Sequence, residues 1–142
     1  MNLLVDASVA VKWFFAENLN EEADRLLTPL YELYAPDFLL LEVSSVIWKK
    51  RQRNEWNPVE DAEIFAILRD SIHEWIPLST LSERALQLAH ELGHSVYDCV
   101  YLAAAESISI KLITADRDFY NRVLQSPYSP LIAWIEDSSR HS

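Results

Sequence analysis

The sequence predicts a single α/β domain over residues 1 to 142, built on a central, mainly parallel sheet of about five strands flanked by helices. Three observations carry this expectation. Short apolar runs alternate with segments of helical periodicity, the pattern that folds into a parallel sheet with crossover helices. Half of the 142 residues are hydrophobic, enough for one sizeable core. No repeat, low-complexity tract or Ser/Gly linker divides the chain, and its single glycine leaves no Gly-rich phosphate loop.

The elements follow in order. NLLV (2–5) is the first strand, and LYAP (33–36) is the second. DFLLLEVSSVIW and the residues after it carry a helix from about 38 to 51. Asn57, Pro58 and Glu60 have the residue types of a cap, first-turn proline and capping box, so a helix starts there. WIPLS (75–79) is the third strand. Thr80 with Glu83, and Ser95 with Asp98, repeat the box spacing and open two further helices, with Gly93 ending the first of these. KLIT (111–114) and LIAWI (131–135) are the fourth and fifth strands, and the last few residues form a flexible tail.

Charge and cysteine content narrow the function. The formal net charge is −10, from 22 acidic and 12 basic side chains, which argues against a protein that simply coats nucleic acid. The one cysteine, Cys99, forms neither an internal disulfide nor a thiolate zinc cluster, and a reducing, cytoplasmic setting suits it. MNLLVDAS has no basic leader, and the most apolar stretch is broken by Glu42, so neither a signal peptide nor a membrane span is expected.

The acidic residues carry the chemistry. Asp6 follows the first strand and Asp116 the fourth, so a parallel sheet brings both to its carboxyl-end rim, where open α/β folds bind ligands. Glu42 sits at the margin of an apolar helical stripe. Asp98 opens VYDCVYLAAAES, a segment whose other charged residue is Glu106, as in a buried helix. Singly, each acid has an ordinary explanation: Asp98 in a capping box with Ser95, Asp116 as a helix cap, Asp6 as a strand end, Glu42 paired with Lys49 or Arg51. Together they form a set that repels itself and is relieved by a divalent cation. All-oxygen ligands point to a hard ion, Mg²⁺ or Mn²⁺.

The strings LLVDASV (3–9), LLLEVSSVIWK (39–49), SVYDCVYLAAAE (95–106) and LITADRDF (112–119) resemble the four blocks of PIN-domain ribonucleases, in particular the VapC-type toxins of toxin–antitoxin pairs. The resemblance spans nearly the whole chain. It implies a PIN-like domain and metal-dependent hydrolysis of RNA phosphodiesters. It implies that Asp6, Glu42, Asp98 and Asp116 are the catalytic and metal-binding acids, with Asp118 a fifth candidate. Ser8 and Thr114 match the family's polar residues near the site. The implied partners are an RNA substrate, a cognate antitoxin and a second copy in a homodimer. Ser45 stands where many relatives carry Asn, which alters the hydrogen bonding expected around Glu42.

Three other features complete the reading. Lys49, Lys50, Arg51 and Arg53 form the dense basic cluster and are candidate RNA contacts, though cations at a helix C-terminus equally complement its dipole. HELGH (90–94) satisfies H-E-x-x-H and raises the alternative of a zinc metalloprotease. Against this, Leu81, Ala85, Leu88 and Leu92 define the buried stripe, so His90 and His94 are expected to face solvent, with Gly93 interrupting the helix between them. Trp13 and Phe14 are candidates for a homodimer surface or an antitoxin groove. A third reading is a PIN fold that has become a protein-binding module without activity.

Overall fold

The apolar run Asn2–Val5 forms β1, and its last three residues are buried. β1 lies at the centre of a five-stranded sheet of order β3-β2-β1-β4-β5, in which every neighbouring pair is parallel. The computed structural model describes residues 1–55 and 59–137. β2 spans Glu32–Pro36, β3 Ile72–Ile76, β4 Lys111–Thr114 and β5 Ile132–Trp134. Leu4 faces Tyr34 on one side and Leu112 on the other, and Val5 pairs with Ile113. Leu4, Val5, Leu112 and Ile113 are all fully buried. A strand covered by helices on both faces has no polar face to present, which is why β1 and β4 read as continuous apolar runs.

Parallel pairing requires crossovers, and helices supply them. α1 (Ala7–Ala10) continues into a 3₁₀ turn at Val11–Trp13 and is followed by α2 (Asn20–Arg25). α3 (Phe38–Gln52) and α4 (Asp61–Ser71) connect β2 to β3. α3 buries Leu39, Val43 and Ile47, spaced one turn apart. α5 (Ser82–Leu92) and α6 (Val96–Ile108) connect β3 to β4, and α7 (Arg117–Leu124) precedes β5. α6 is buried continuously from Cys99 to Ala105, as its composition demands. The buried stripe of α5 is the one read from its spacing, with Leu81, Ala85, Leu88 and Leu92 all shielded.

The third strand lies three residues earlier than the sequence indicates. α4 runs directly into β3, which is buried at its two ends, Ile72 and Ile76, and carries His73 and Glu74 at the surface between them. An edge strand tolerates such polar residues, whereas WIPLS owes its apolar look to a stretch that Pro77 interrupts. The Thr80–Glu83 box is also not formed. Thr80 Oγ1 donates to the Pro77 carbonyl at 2.7 Å inside a 3₁₀ turn, and α5 starts from Leu81 without a side-chain cap. The expected cap at Asn57 and Pro58 lies outside the described residues, as does the expected tail. Among the described residues no helix is long and apolar enough to cross a membrane.

Gly93 ends α5 in the left-handed region, at φ +60°. A Cβ there would meet Arg122 Nη1 at 3.7 Å, an ordinary contact, so backbone strain alone sets the penalty. Gly93→Ala is expected to destabilise the fold by about 1 kcal/mol. Thermal unfolding should show a drop of about 4 °C; an unchanged melting temperature would mean that the turn relaxes.

Candidate active site

The strand order reverses direction beside β1: the chain builds outward through β2 and β3, then returns to place β4 on β1's other edge. Beyond the carboxyl ends of β1 and β4 the adjacent connections diverge and leave a crevice. Asp6 and Asp116 stand at this rim.

Asp6 is the N-cap of α1 and is only 6% exposed. Its Oδ1 accepts from Ser8 Oγ at 2.5 Å and from the Val9 N–H at 3.2 Å, and its Oδ2 accepts from Thr114 Oγ1 at 2.6 Å. Ser8 Oγ in turn accepts from the Ala115 N–H at 2.9 Å, and Thr114 Oγ1 from the Asp116 N–H at 3.1 Å. Two relays through hydroxyl groups therefore tie the rim of β1 to the rim of β4, and both end on the Asp6 carboxylate. Asp116 caps α7, accepting from the Phe119 N–H at 3.2 Å. The capping explanation and the rim position thus hold together for both residues: a cap uses one oxygen of a carboxylate and leaves capacity on it.

The other two acids reach the crevice from helices. Glu42 projects from the middle of α3, half-buried, and Asp98 from the first turn of α6. Asp6, Glu42, Asp98 and Asp116 line one cleft of about 330 Å³, with Lys12, Glu17 and Tyr101 on its walls. Burial pushes the Asp6 carboxyl up to about 7, against the hydrogen bonds from Ser8, Thr114 and Val9, and the charge of Asp98 adds to the rise. Glu42 is raised by burial, with Tyr101 opposing, and Asp98 adds to the rise against Lys49. Asp98 is raised by burial and by Asp116, with His94 opposing. Each of these three feels at least one other member of the set, the electrostatic signature of like charges gathered in one place.

No Lys or Arg ion pair among the described residues reaches any of the four. The Tyr101 hydroxyl is buried in the same cleft without a hydrogen-bond partner. It lies close enough to Glu42 for the phenol to favour the ionised carboxylate, which lowers Glu42 and raises Tyr101. Oxygen donors and mutual repulsion fit a hard divalent cation with its waters. No three His, Cys, Asp or Glu side chains among the described residues already converge at metal-ligand spacing, so the fit is one of donor chemistry rather than of a preformed shell.

The remaining candidates fall elsewhere. Asp118 is exposed in the first turn of α7, where it complements the helix dipole, and it does not line the cleft. The basic cluster is dispersed. Lys50 is bound by Glu17 at 2.8 Å and Glu55 at 3.1 Å and lies over the Phe15 ring. Arg51 pairs with Asp61, Arg53 is exposed at the end of α3, and Lys49 lines a neighbouring groove beside Glu42. Phe14 is buried in the core, and Trp13 is half-buried with its Nε1 donating to the Ala23 carbonyl at 2.9 Å. These two aromatics therefore do not form the surface expected of them; the turn after α1 folds them inward.

HELGH is not a zinc motif here. Gly93 ends α5, so His94 lies beyond the helix that carries His90. His90 is exposed as expected. His94 is not: its ring stacks on Phe119, and its Nε2 lies 2.7 Å from Asp98 Oδ2. That bond takes the place of a closed capping box, for Ser95 Oγ accepts from the Tyr97 N–H at 3.2 Å while Asp98 turns to His94.

Sequence reasoning missed Lys12, Glu17, Tyr101 and His94. Tyr101 was accessible, since it lies three residues after Asp98 and so shares its helix face. Lys12 and Glu17 gave only a weak signal, two charges within the apolar segment VKWFFAEN.

Comparison with known proteins agrees with this architecture. The family model described as the PIN domain matches residues 3–123. "Ribonuclease VapC3" of Pyrobaculum aerophilum is 33% identical over 124 residues, covering 82% of this chain and 91% of that protein. Among solved structures, a toxin–antitoxin complex from Klebsiella pneumoniae superposes with a TM-score of 0.60 at 16% identity, covering 92% of this chain and 95% of that one. A crystal structure from Pyrobaculum aerophilum gives 0.61 at 20% identity, covering 96% of this chain and 85% of that one. The structural likenesses show the fold, and the family-model match together with the 33% identical relative goes further: this chain belongs to the PIN domain family.

Proposed function

We propose that the protein is a metal-dependent endoribonuclease, the toxin of a toxin–antitoxin pair. The observation that carries this is the cleft at the switch point of the sheet, where Asp6, Glu42, Asp98 and Asp116 gather without a Lys or Arg ion pair among the described residues. The names of the relative from Pyrobaculum aerophilum and of the Klebsiella pneumoniae complex support the ribonuclease and toxin readings.

Mg²⁺ or Mn²⁺, when bound, supplies positive charge against the phosphate and acidifies a water. Asp6, Asp98 and Asp116 would hold the ion. Asp6 is kept in place by Ser8 and Thr114, and Asp98 by His94. Glu42 orients the attacking water and receives its proton as the oxygen adds to phosphorus and the ester P–O bond on the opposite side breaks. No covalent enzyme intermediate is needed, and the described residues that line the cleft include no Ser–His or Cys–His pair to form one.

The test is incubation of purified protein with mixed structured RNAs in Mg²⁺, in Mn²⁺ and in chelator. Cleavage is expected with either ion and absent in chelator. Cleavage that persists in chelator would sink the metal-nuclease reading, and no cleavage under any condition would favour the binding-module reading.

A further inference from the structure

Among the described residues that line the acid cleft, one is a cation, Lys12. It sits in the 3₁₀ turn after α1, on the chain segment that Asp6 caps, and its side chain is 11% exposed. Asn20 holds this segment in shape: its Nδ2 donates to the carbonyls of Lys12 at 2.7 Å and Phe15 at 2.9 Å, and its Oδ1 accepts from the Glu17 N–H at 2.7 Å. One residue thereby fixes the backbone of Lys12 and Glu17 together. The geometry points to Lys12 as the residue that binds the scissile phosphate, donating from its ammonium to a non-bridging oxygen of RNA seated in the cleft. This inference rests on the ribonuclease reading above.

Two features favour it. The first is the way Glu17 is shared. Lys12 Nζ lies 3.3 Å from Glu17 Oε1, a long ion pair, whereas Lys50 Nζ lies 2.8 Å from Glu17 Oε2. Burial raises the Glu17 carboxyl, but Lys50 and Lys12 outweigh it and hold the group ionised. Lys50 can keep Glu17 compensated when Lys12 turns away, so the swing of Lys12 onto a phosphate leaves no buried charge unpaired. An ammonium has three N–H donors, and a single carboxylate oxygen at 3.3 Å engages one of them weakly.

The second is elimination by position. A phosphodiester entering a ring of carboxylates needs positive charge on the side the ion does not cover. Lys50 and Arg51 are engaged by Glu17, Glu55 and Asp61, and neither lines the cleft. Lys49 lines the groove on the other side of Glu42. Lys12 is therefore the cation, among the described residues, placed to reach a phosphate in the cleft, whereas Lys50 and Arg51 of the 49–53 cluster are held in ion pairs.

The experiment compares wild type with Lys12→Gln, Lys12→Arg and Glu17→Gln, measuring single-turnover cleavage of a single-stranded RNA oligonucleotide in Mg²⁺. It adds RNA binding over a salt series, Mn²⁺ binding and melting temperature. Lys12→Gln is expected to lose roughly 100-fold in rate, the scale for removing one donor to a developing anion. Its salt slope for RNA binding should fall by about 0.7, as for one lost contact to a single strand, with Mn²⁺ affinity retained. Lys12→Arg keeps the charge and should recover most of the rate. Glu17→Gln removes a negative charge from the cleft and releases Lys12, so it should bind RNA more tightly.

A merely structural ion pair predicts something else: Lys12→Gln and Glu17→Gln would lose melting temperature and activity together. That result overturns the inference, as does a Lys12→Gln enzyme with wild-type rate and salt slope, or an equal loss in Lys12→Arg. Wild type that cleaves no RNA fails the ribonuclease reading itself, a result distinct from any of these.

Discussion

Asp6→Asn, Asp98→Asn and Asp116→Asn are each expected to abolish RNA cleavage, with losses on the order of 10³-fold or more, the scale for removing one member of a catalytic unit. The substitution is nearly isosteric, so the argument concerns charge. Asparagine caps a helix about as well as aspartate, and the bonds from the Val9 and Phe119 N–H groups need only one side-chain oxygen. The ends of α1 and α7 therefore survive in Asp6→Asn and Asp116→Asn. What is lost is an anionic oxygen facing the cleft. Asp118, exposed in the first turn of α7, provides the contrast: Asp118→Asn should have a mild effect. Single-turnover rates, with circular dichroism to show retained folding, decide the matter. A folded Asp6→Asn or Asp98→Asn enzyme near the wild-type rate would remove that residue from the site.

Stability of the metal-free protein is expected to fall as pH rises through neutrality. The folded-state pKa of Asp6 is raised from 3.8 to about 7, chiefly by burial, and those of Glu42 and Asp98 are raised as well. For an acid raised on folding, the folded chain holds the proton more tightly than the unfolded chain. Its stabilising contribution is complete below pH 4 and is lost as pH climbs through 7. A difference of about three pKa units corresponds to about 4 kcal/mol for Asp6. Asparagine imitates the protonated aspartate, so at pH 8 in chelator Asp6→Asn should melt higher than wild type and show a shallower dependence on pH. Mg²⁺ or Mn²⁺ should raise the melting temperature of wild type by mass action and that of the variant by less. If the carboxylate served the fold alone, the variant would melt lower in chelator and respond to metal as wild type does.

The two predictions act on the same atoms in opposite directions. The charge proposed to make Asp6 useful to catalysis is the charge that destabilises the fold in chelator, a relation expected where a site is built against local stability.

Much of this was legible in the chain. β1, β2, β4 and β5 lie where their apolar runs indicate, α3 begins at Phe38, and Gly93 ends α5. The two rim acids follow from the alternation of strands and helices, because in a parallel sheet every strand ends on the same side. The edge strand β3 was displaced since its exposed residues, His73 and Glu74, do not carry the apolar signature of the central strands. The Thr80 box failed because the hydroxyl found a nearer acceptor in the Pro77 carbonyl, the competition that makes Ser and Thr ambiguous near helix starts.

The sequence by itself determined the class of each central element, the order of the elements and the placement of acidic residues at strand ends and on helix faces. These depend on periodicity and on residues a turn or a strand apart, interactions a linear reading can follow. Only the tertiary structure decided which charges meet. Asp6 is held by Thr114, 108 positions away. Glu17 draws Lys50 out of the basic cluster, and His94 turns from solvent to Asp98 and Phe119 once Gly93 has redirected the chain. Such pairings follow from how the crossover helices bring distant segments together. The charge state of the cleft follows from burial, and burial belongs to the packed molecule rather than to any stretch of its chain.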